Sequence, residues 1–323
     1  MRVEKKEISI LVLCVLLSRC LMARSEEQVE LVPYGDFESW TVRYIKESGL
    51  IGGNIKKLYM VGPSDTIYGN KPYTPSPLSP WGSGNTHARA FGVDKASISV
   101  TPERRTDQDG YCCRMETRLE SVKAGVLDLN AIATGSVYTG RLLDPVGMAQ
   151  SSDPNSGLDM GIPFNRRPKA LMLDYKAFIQ SGEGILYAPA SSKIKPVAGH
   201  DEGQIILILQ HRWEENGHVY AYRVGTAVEH ISHSTNGWVN DHRVHVVYGP
   251  VPPRADYKEW QWLTNKRYKT HNSKGKMVYI EEKEWRGDIE PTHLIIKISA
   301  GCQKPFTGRP GNVVCCDNIR LVY

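Results

Sequence analysis

The sequence lacks almost every short pattern that announces a reaction. It has no H-E-x-x-H, no nucleophile elbow and no phosphate-binding loop. The stretch "WGSGN" (81–85) has glycines but not the strand-and-helix setting such a loop requires. No C-x-x-C pair occurs, which disfavours a zinc module built on that spacing. No dense basic stripe occurs either. The formal net charge is +5, and the short run "NKRYKTHNSKGK" (265–276) reads as a solvated hairpin or loop, so nucleic acid is not an expected partner. After residue 17 no apolar run is long enough to span a bilayer. No long segment keeps a 3.6-residue apolar period, which argues against a helical architecture.

What is present is a chain of 323 residues, 41% hydrophobic and 23% charged, enough for one large domain with a substantial core. Short runs rich in β-branched and aromatic residues recur between Gly, Pro, Asn and Asp: "KASISV" (95–100), "YCCRMETRLESV" (111–122), "KALMLDYKAFI" (169–179), "GQIILILQHRW" (203–213), "HVYAYRVGTAV" (218–228), "WVNDHRVHVVYG" (238–249), "THLIIKISAG" (292–301) and "VVCCDNIRLVY" (313–323). They predict an all-β chain with two sheets packed face to face. Residues 41–49 and 257–268 could hold a turn or two of helix. Two loops rich in Pro, Gly and Ser, about 68–86 and 144–168, interrupt the strands, and long loops on a rigid sandwich are where ligand sites gather. No linker divides the chain, so residues 26–323 read as a single sandwich.

The first 25 residues read as a leader. Arg2, Lys5 and Lys6 precede the apolar run "ISILVLCVLL" (8–17), and Ala23 and Ser25 suit cleavage before Glu26. This predicts an exported protein of the periplasm, cell surface or medium. A lipid anchor on Cys20 is the rival reading, but Arg19 stands where a small residue is wanted. Of seven cysteines, a cleaved chain keeps Cys112, Cys113, Cys302, Cys315 and Cys316. Adjacent cysteines suit a disulfide poorly, so the pairs read as core thiols, with a bridge from Cys302 to Cys315 or Cys316 as the best disulfide candidate.

The closing segment "CCDNIRLVY" (315–323) poses a local problem. Period-two alternation places Asp317 on the same face as Ile319, Leu321 and Tyr323, and a buried carboxylate needs a partner. Near the other end, "LVPYGDFESW" (31–40) offers Glu38. If the first and last strands lie side by side, Glu38 and Asp317 could share a structural Ca²⁺. The alternatives are a salt bridge from Asp317 to an arginine such as Arg43, or an exposed sheet edge.

These segments also carry a resemblance. "GDFESW" (35–40), "ATGSVYTGRL" (133–142), "MGIPFNRRPKALMLDYKAF" (160–178) and "CCDNIRLVY", in that order, resemble the putative carbohydrate metabolism domain proteins exported by Bacteroidetes. The match spans about Leu31 to Tyr323. It implies a jelly-roll β-sandwich of galactose-binding-like type with long loops and a glycan partner, and it implies the substrate class more firmly than a reaction.

A sugar site needs an aromatic face and a few well-placed polar groups. Trp81, in the Pro/Gly-rich loop, is the first candidate platform. Asn85, His87, Tyr138, Arg141 and Arg167 are candidate polar contacts, with Arg166 beside them, although one arginine of "FNRRP" could instead bind loop carbonyls. Trp238, Trp260 and Trp262 are weaker candidates, since strand aromatics usually pack. Glycosidase chemistry would need two facing carboxylates; Glu183, Glu214, Glu229, Asp241 and Asp174 are available, and spacing selects no pair. The steps His230/His233 and His242/His245 suit a helix face better than a strand, which argues against a metal site in either pair. Three readings follow: a carbohydrate-binding envelope protein, a glycoside hydrolase or lyase, and a structural or adhesive protein without a small-ligand site.

Overall fold

Five consecutive aliphatic residues, Ile205 to Leu209, can all be buried only if both faces of their strand are covered. In the computed structural model this is so. Ile205, Leu207 and Leu209 face one hydrophobic core, Ile206 and Ile208 another, and none is more than 1% exposed. The structure describes residues 27–125, 127–147, 154–253 and 261–323. The leader with Cys20, and Trp260, lie outside these residues.

The first core lies between two sheets, as the strand pattern predicts. A six-stranded sheet runs in the order Val239–His245, Ala170–Phe178, Val313–Val322, Tyr111–Glu116, Val100–Arg104, with Val29–Leu31 paired to the far end of Val313–Val322. The first and last strands are therefore neighbours. The facing ten-stranded sheet is centred on Gly203–Glu215, flanked by His293–Ser299 and His218–Ile231. It then passes through Met277–Trp285, Lys269–His271, Leu158–Met160 and Ser136–Leu142. Ser136–Leu142 pairs again with His293–Ser299, so this sheet closes into a barrel. The second core, with Ile206, Ile208, Val219, Ala221, Ile280, Ile295, Tyr138 and Met160, fills its interior.

Among the described residues helix is confined to two 3-10 turns, Gly49–Ile51 and Pro154–Gly157, and to Gln261, which is also 3-10. Residues 41–46, expected as a possible helical turn, belong to the strand Trp40–Lys46. The run 111–122 is not one strand: it breaks at Thr117, and Arg118–Ala124 joins a separate three-stranded sheet.

"GDFESW" has a packing logic. Val32 N–H donates to Ile319 O and Ile319 N–H to Gly35 O, at 2.8 and 2.9 Å. A Cβ on Gly35 would stand 2.9 Å from Ile319 O, so only glycine lets the two ends approach this closely. Phe37 is fully buried, and Trp40 Nε1 donates to its carbonyl at 2.6 Å.

Leu207→Ala empties space between the two layers. It should lower the urea midpoint by the equivalent of about 2–5 kcal/mol with an unchanged slope. A loss under about 1 kcal/mol would mean that this strand is not the shared wall of both cores.

Candidate functional site

The alternation that placed Asp317 beside Ile319 is broken by one residue. Asp174 is paired with Asp317, and Met172 with Arg320, so Val313–Val322 carries an extra residue opposite Leu173. Asn318 is that residue, in left-handed backbone at φ 51°. Cys316, Ile319 and Leu321 face the core between the sheets, and Asp317 turns to the other face with Asp174. A second irregularity on the opposite side of Asp174 places Asp241 at φ 54°.

Between the two carboxylates lies Arg105, not a metal ion's usual oxygen cage. Its Nη1 is 2.9 Å from Asp174 Oδ2 and 2.8 Å from Asp317 Oδ2. Its Nε and Nη2 grip Asp107 at 3.0 and 2.8 Å, and Nη2 also donates to Asn240 Oδ1. All five guanidinium hydrogens are thereby used, and Trp238 covers the plane at 3.8 Å. Arg43, the partner considered from sequence, pairs instead with Asp144. Glu38 accepts from the Tyr111 N–H at 2.8 Å. Glu38 and Asp317 thus fasten the two ends of the 105–111 loop, each on a protein donor, where the sequence reading has them share a calcium ion.

The carboxylates differ in basicity. Burial pushes Asp317 up to about 6, with Asp174 adding to the rise against the pull of Arg105. Burial also opposes the charge on Asp174, but Asn318, the Asp241 N–H, Arg105 and Arg320 together hold it below the usual range. Such a split can mark an acid and a base in an active site. Here the two side chains are only 6% and 4% exposed, and Arg105 fills the gap where a glycosidic bond would have to enter.

Of the remaining carboxylates from the sequence reading, Asp241 stands beside Asp174 and shares Arg320 with it, and Glu214 and Glu229 lie apart from that pair. Glu214 binds Ser273, Glu229 lies 2.9 Å from His242, and Asp241 lies 2.8 Å from Arg320. The histidine pairs do not converge: His230 faces Glu202, His233 bonds Ser232, and His242 faces Glu229.

Most of the proposed sugar contacts are internal. Trp81 is 2% exposed; its Nε1 donates to Pro33 O at 2.9 Å and its ring lies 5.7 Å from Phe37. The short strand Trp81–Ser83 draws it into the sandwich core, so its ring face has no room for a pyranose. The Asn85 amide donates to Tyr59 O and Val100 O and accepts from the Ser99 and Val100 N–H groups. His87 is fully buried against Asp94 at 2.7 Å; burial opposes its charge, but Asp144 and Asp94 hold its pKa above the ordinary histidine value. Tyr138 is inside the barrel. Arg167 donates to the carbonyls of Ile289 and Gly287, both at 2.6 Å, and stacks on Tyr248, the loop-holding role weighed as its alternative. Arg166 lies over Tyr323. Trp262 contributes its carbonyl to Arg223.

Arg141 alone of this group is exposed. It pairs with Asp159 in register and lines a cleft of about 400 Å³ walled by Pro77, Pro80 and Pro163. The cleft has no aromatic floor.

An aromatic floor exists elsewhere. The sandwich core ends at Leu209 and Val224, and the next positions on that face are His211 and Trp213, opposite Tyr222 and Tyr220. Trp213 lies 4.5 Å from Tyr222 and 5.6 Å from Tyr220, and all three rings are half-buried. Asn216 and Gly217, both with positive φ, close the hairpin and fix this register. From the adjacent strand Met277–Trp285, Lys283 Nζ stands 4.3 Å over Tyr220. Arg286, just beyond that strand, stands 5.5 Å over Tyr222. Each cation is held by an acid, Glu281 at 2.6 Å and Asp288 at 3.0 Å. The signal was in the sequence: "HRWEENGHVYAY" (211–222) sets rings on alternate positions of both arms of an Asn-Gly hairpin.

Two outcomes follow. Trp81→Ala should cost about 3–5 kcal/mol of stability by thermal or urea melting; a neutral result would mean the indole is not core. The Asp317 carboxyl should titrate near pH 6 by carbon NMR. Its folded value exceeds the unfolded 3.8, so this group alone makes stability fall as pH rises from about 4 to 6. Asp174, held low, acts in the opposite sense at lower pH. At pH 7, Asp317→Asn should therefore lower the melting temperature less than Asp174→Asn.

Comparison with known proteins gives the chain its relatives. No curated protein matches it. A crystal structure of a putative glycoside hydrolase from Bacteroides thetaiotaomicron is similar with a TM-score of 0.48 and 18% identity, over 88% of this chain and 71% of that one. A second, also a putative glycoside hydrolase, from Bacteroides vulgatus, is similar with a TM-score of 0.42 and 16% identity, over 91% and 94%. The family model described as "Putative carbohydrate metabolism domain" matches residues 61–322. The chain belongs to the putative carbohydrate metabolism domain family.

Proposed function

We propose that this protein is an exported carbohydrate-binding protein of the cell envelope and that Trp213, Tyr220 and Tyr222 form its sugar platform. The observation that carries the reading is three contiguous half-buried rings on a rigid hairpin, flanked by Lys283 and Arg286 and their acids. Aromatic faces stack on the apolar face of a pyranose, and charged or planar side chains around them select its hydroxyls. Membership of a carbohydrate metabolism family supports the ligand class, and the basic and apolar leader pattern supports export. The rings stand on strands rather than loops, so they are presented with little ordering cost on binding.

The test is a glycan array on the mature protein. Trp213→Ala and Tyr222→Ala should each abolish the hits seen with the unaltered protein while its fold is kept. Tyr68→Ala is the control: Tyr68 is 75% exposed and stacks on Tyr44 at 4.8 Å, away from the hairpin in sequence. Loss of binding in Tyr68→Ala alone would move the platform to that pair. Release of reducing sugar from any hit would turn the reading from binding to hydrolysis.

A further inference from the structure

The end of Gly203–Glu215 opposite the aromatic hairpin holds a second constellation, at one mouth of the barrel. Glu202 immediately precedes this strand. His230 is paired in register with Gln204, and Cys302 follows His293–Ser299, the neighbour on the other side. One carboxylate oxygen of Glu202, a ring nitrogen of His230 and the Cys302 thiol lie within 4.8 Å of one another. We propose that these three side chains bind a zinc ion.

Three features support the assignment. The His230 side chain is 5% exposed, and its Nδ1 stands 2.9 Å from Glu202 Oε2. The two atoms are close but not aligned as a hydrogen bond, so Nδ1 is a buried nitrogen without a hydrogen-bond partner. The other ring nitrogen, Nε2, faces the Gln261 amide, whose nitrogen is at 2.8 Å and whose oxygen is at 3.1 Å. With the Gln261 oxygen as acceptor, a proton on Nε2 leaves the Nδ1 lone pair free for a metal, the outer-sphere arrangement that orients histidine ligands. Asp201 supplies the framework: its Oδ1 accepts from the N–H groups of Cys302 and Glu202, at 2.9 and 3.0 Å, and its Oδ2 from Arg309 N–H. One buried carboxylate therefore fixes the backbone of two ligands.

The donor chemistry selects the ion. Thiolate, imidazole and carboxylate together suit zinc, while an all-oxygen cage would suit calcium or magnesium. A thiolate and a carboxylate balance the charge of a divalent ion. Three protein ligands leave a fourth position, and Glu202, with 23% of its side chain exposed, lies on the route from solvent. Gln204 lines the same mouth; its Nε2 bonds Ser299 and the Gly301 carbonyl, while its buried Oε1 has no partner and can accept from a metal-bound water. Binding displaces the Cys302 thiol proton, so affinity should rise with pH.

The test is titration of the purified full chain with cobalt(II) and zinc(II). Cobalt should give a thiolate charge-transfer band that saturates at one equivalent, is displaced by zinc, and is absent in Cys302→Ser. Cys315→Ser, which removes a buried thiol elsewhere, should keep it. Zinc should raise the melting temperature of the unaltered chain and not that of Cys302→Ser. Glu202→Gln leaves the buried framework intact and should weaken zinc by about tenfold or more. Absence of a one-equivalent band in the folded, unaltered chain, its survival in folded Cys302→Ser, or unchanged affinity in Glu202→Gln would each overturn the assignment.

Discussion

Everything in this molecule hangs on one strand that is apolar on both faces. Ile205, Leu207 and Leu209 hold the six-stranded sheet against the barrel, and Ile206 and Ile208 fill the barrel. Neither layer can move without exposing the other's core. Burying an aliphatic side chain contributes about 1.5–3 kcal/mol, and this strand does so at five consecutive positions. Where the double burial stops, chemistry begins. Past Leu209 the uncovered face turns aromatic with His211 and Trp213; before Gly203 come Asp201 and Glu202. Both proposed sites therefore lie at the ends of a strand buried on both faces.

A second constraint shapes the six-stranded sheet. Asn318 and Asp241 hold left-handed backbone on either side of Asp174, strain that persists only when the surroundings over-determine it. Here the surroundings are Arg105 with all its donors engaged, and carboxylates that would be costly without it. The bulge turns Asp317 out of the sandwich core and gives it a cation. The result looks, by its split basicities, like a catalytic dyad, yet its cation sits between the two groups. The arrangement braces the 105–111 loop.

The aromatics show the same division between support and presentation. Trp81, Tyr138 and Trp40 face inward, with their polar atoms satisfied by backbone carbonyls. Trp213, Tyr220 and Tyr222 stay half-covered by one another. Rings that are neither buried nor isolated are the ones able to stack on a sugar, which is the ground for the proposed platform.

The sequence by itself determined the all-β class, the two-layer architecture and the family, because alternation, turn chemistry and ordered motifs are local signals. It also contained the Asn-Gly hairpin that aligns the rings. It misplaced Asp317 because a single inserted residue reverses every later face, and nothing in "CCDNIRLVY" marks Asn318 as the insertion. It took Trp81 for a loop residue because the pairing that buries it, with Ser136–Leu142, lies more than fifty residues away. The Arg105 cluster and the Glu202–His230–Cys302 group join residues that no spacing rule connects. Closure of one sheet into a barrel, a purely tertiary event, decided which side chains meet at its mouth and which face the sandwich.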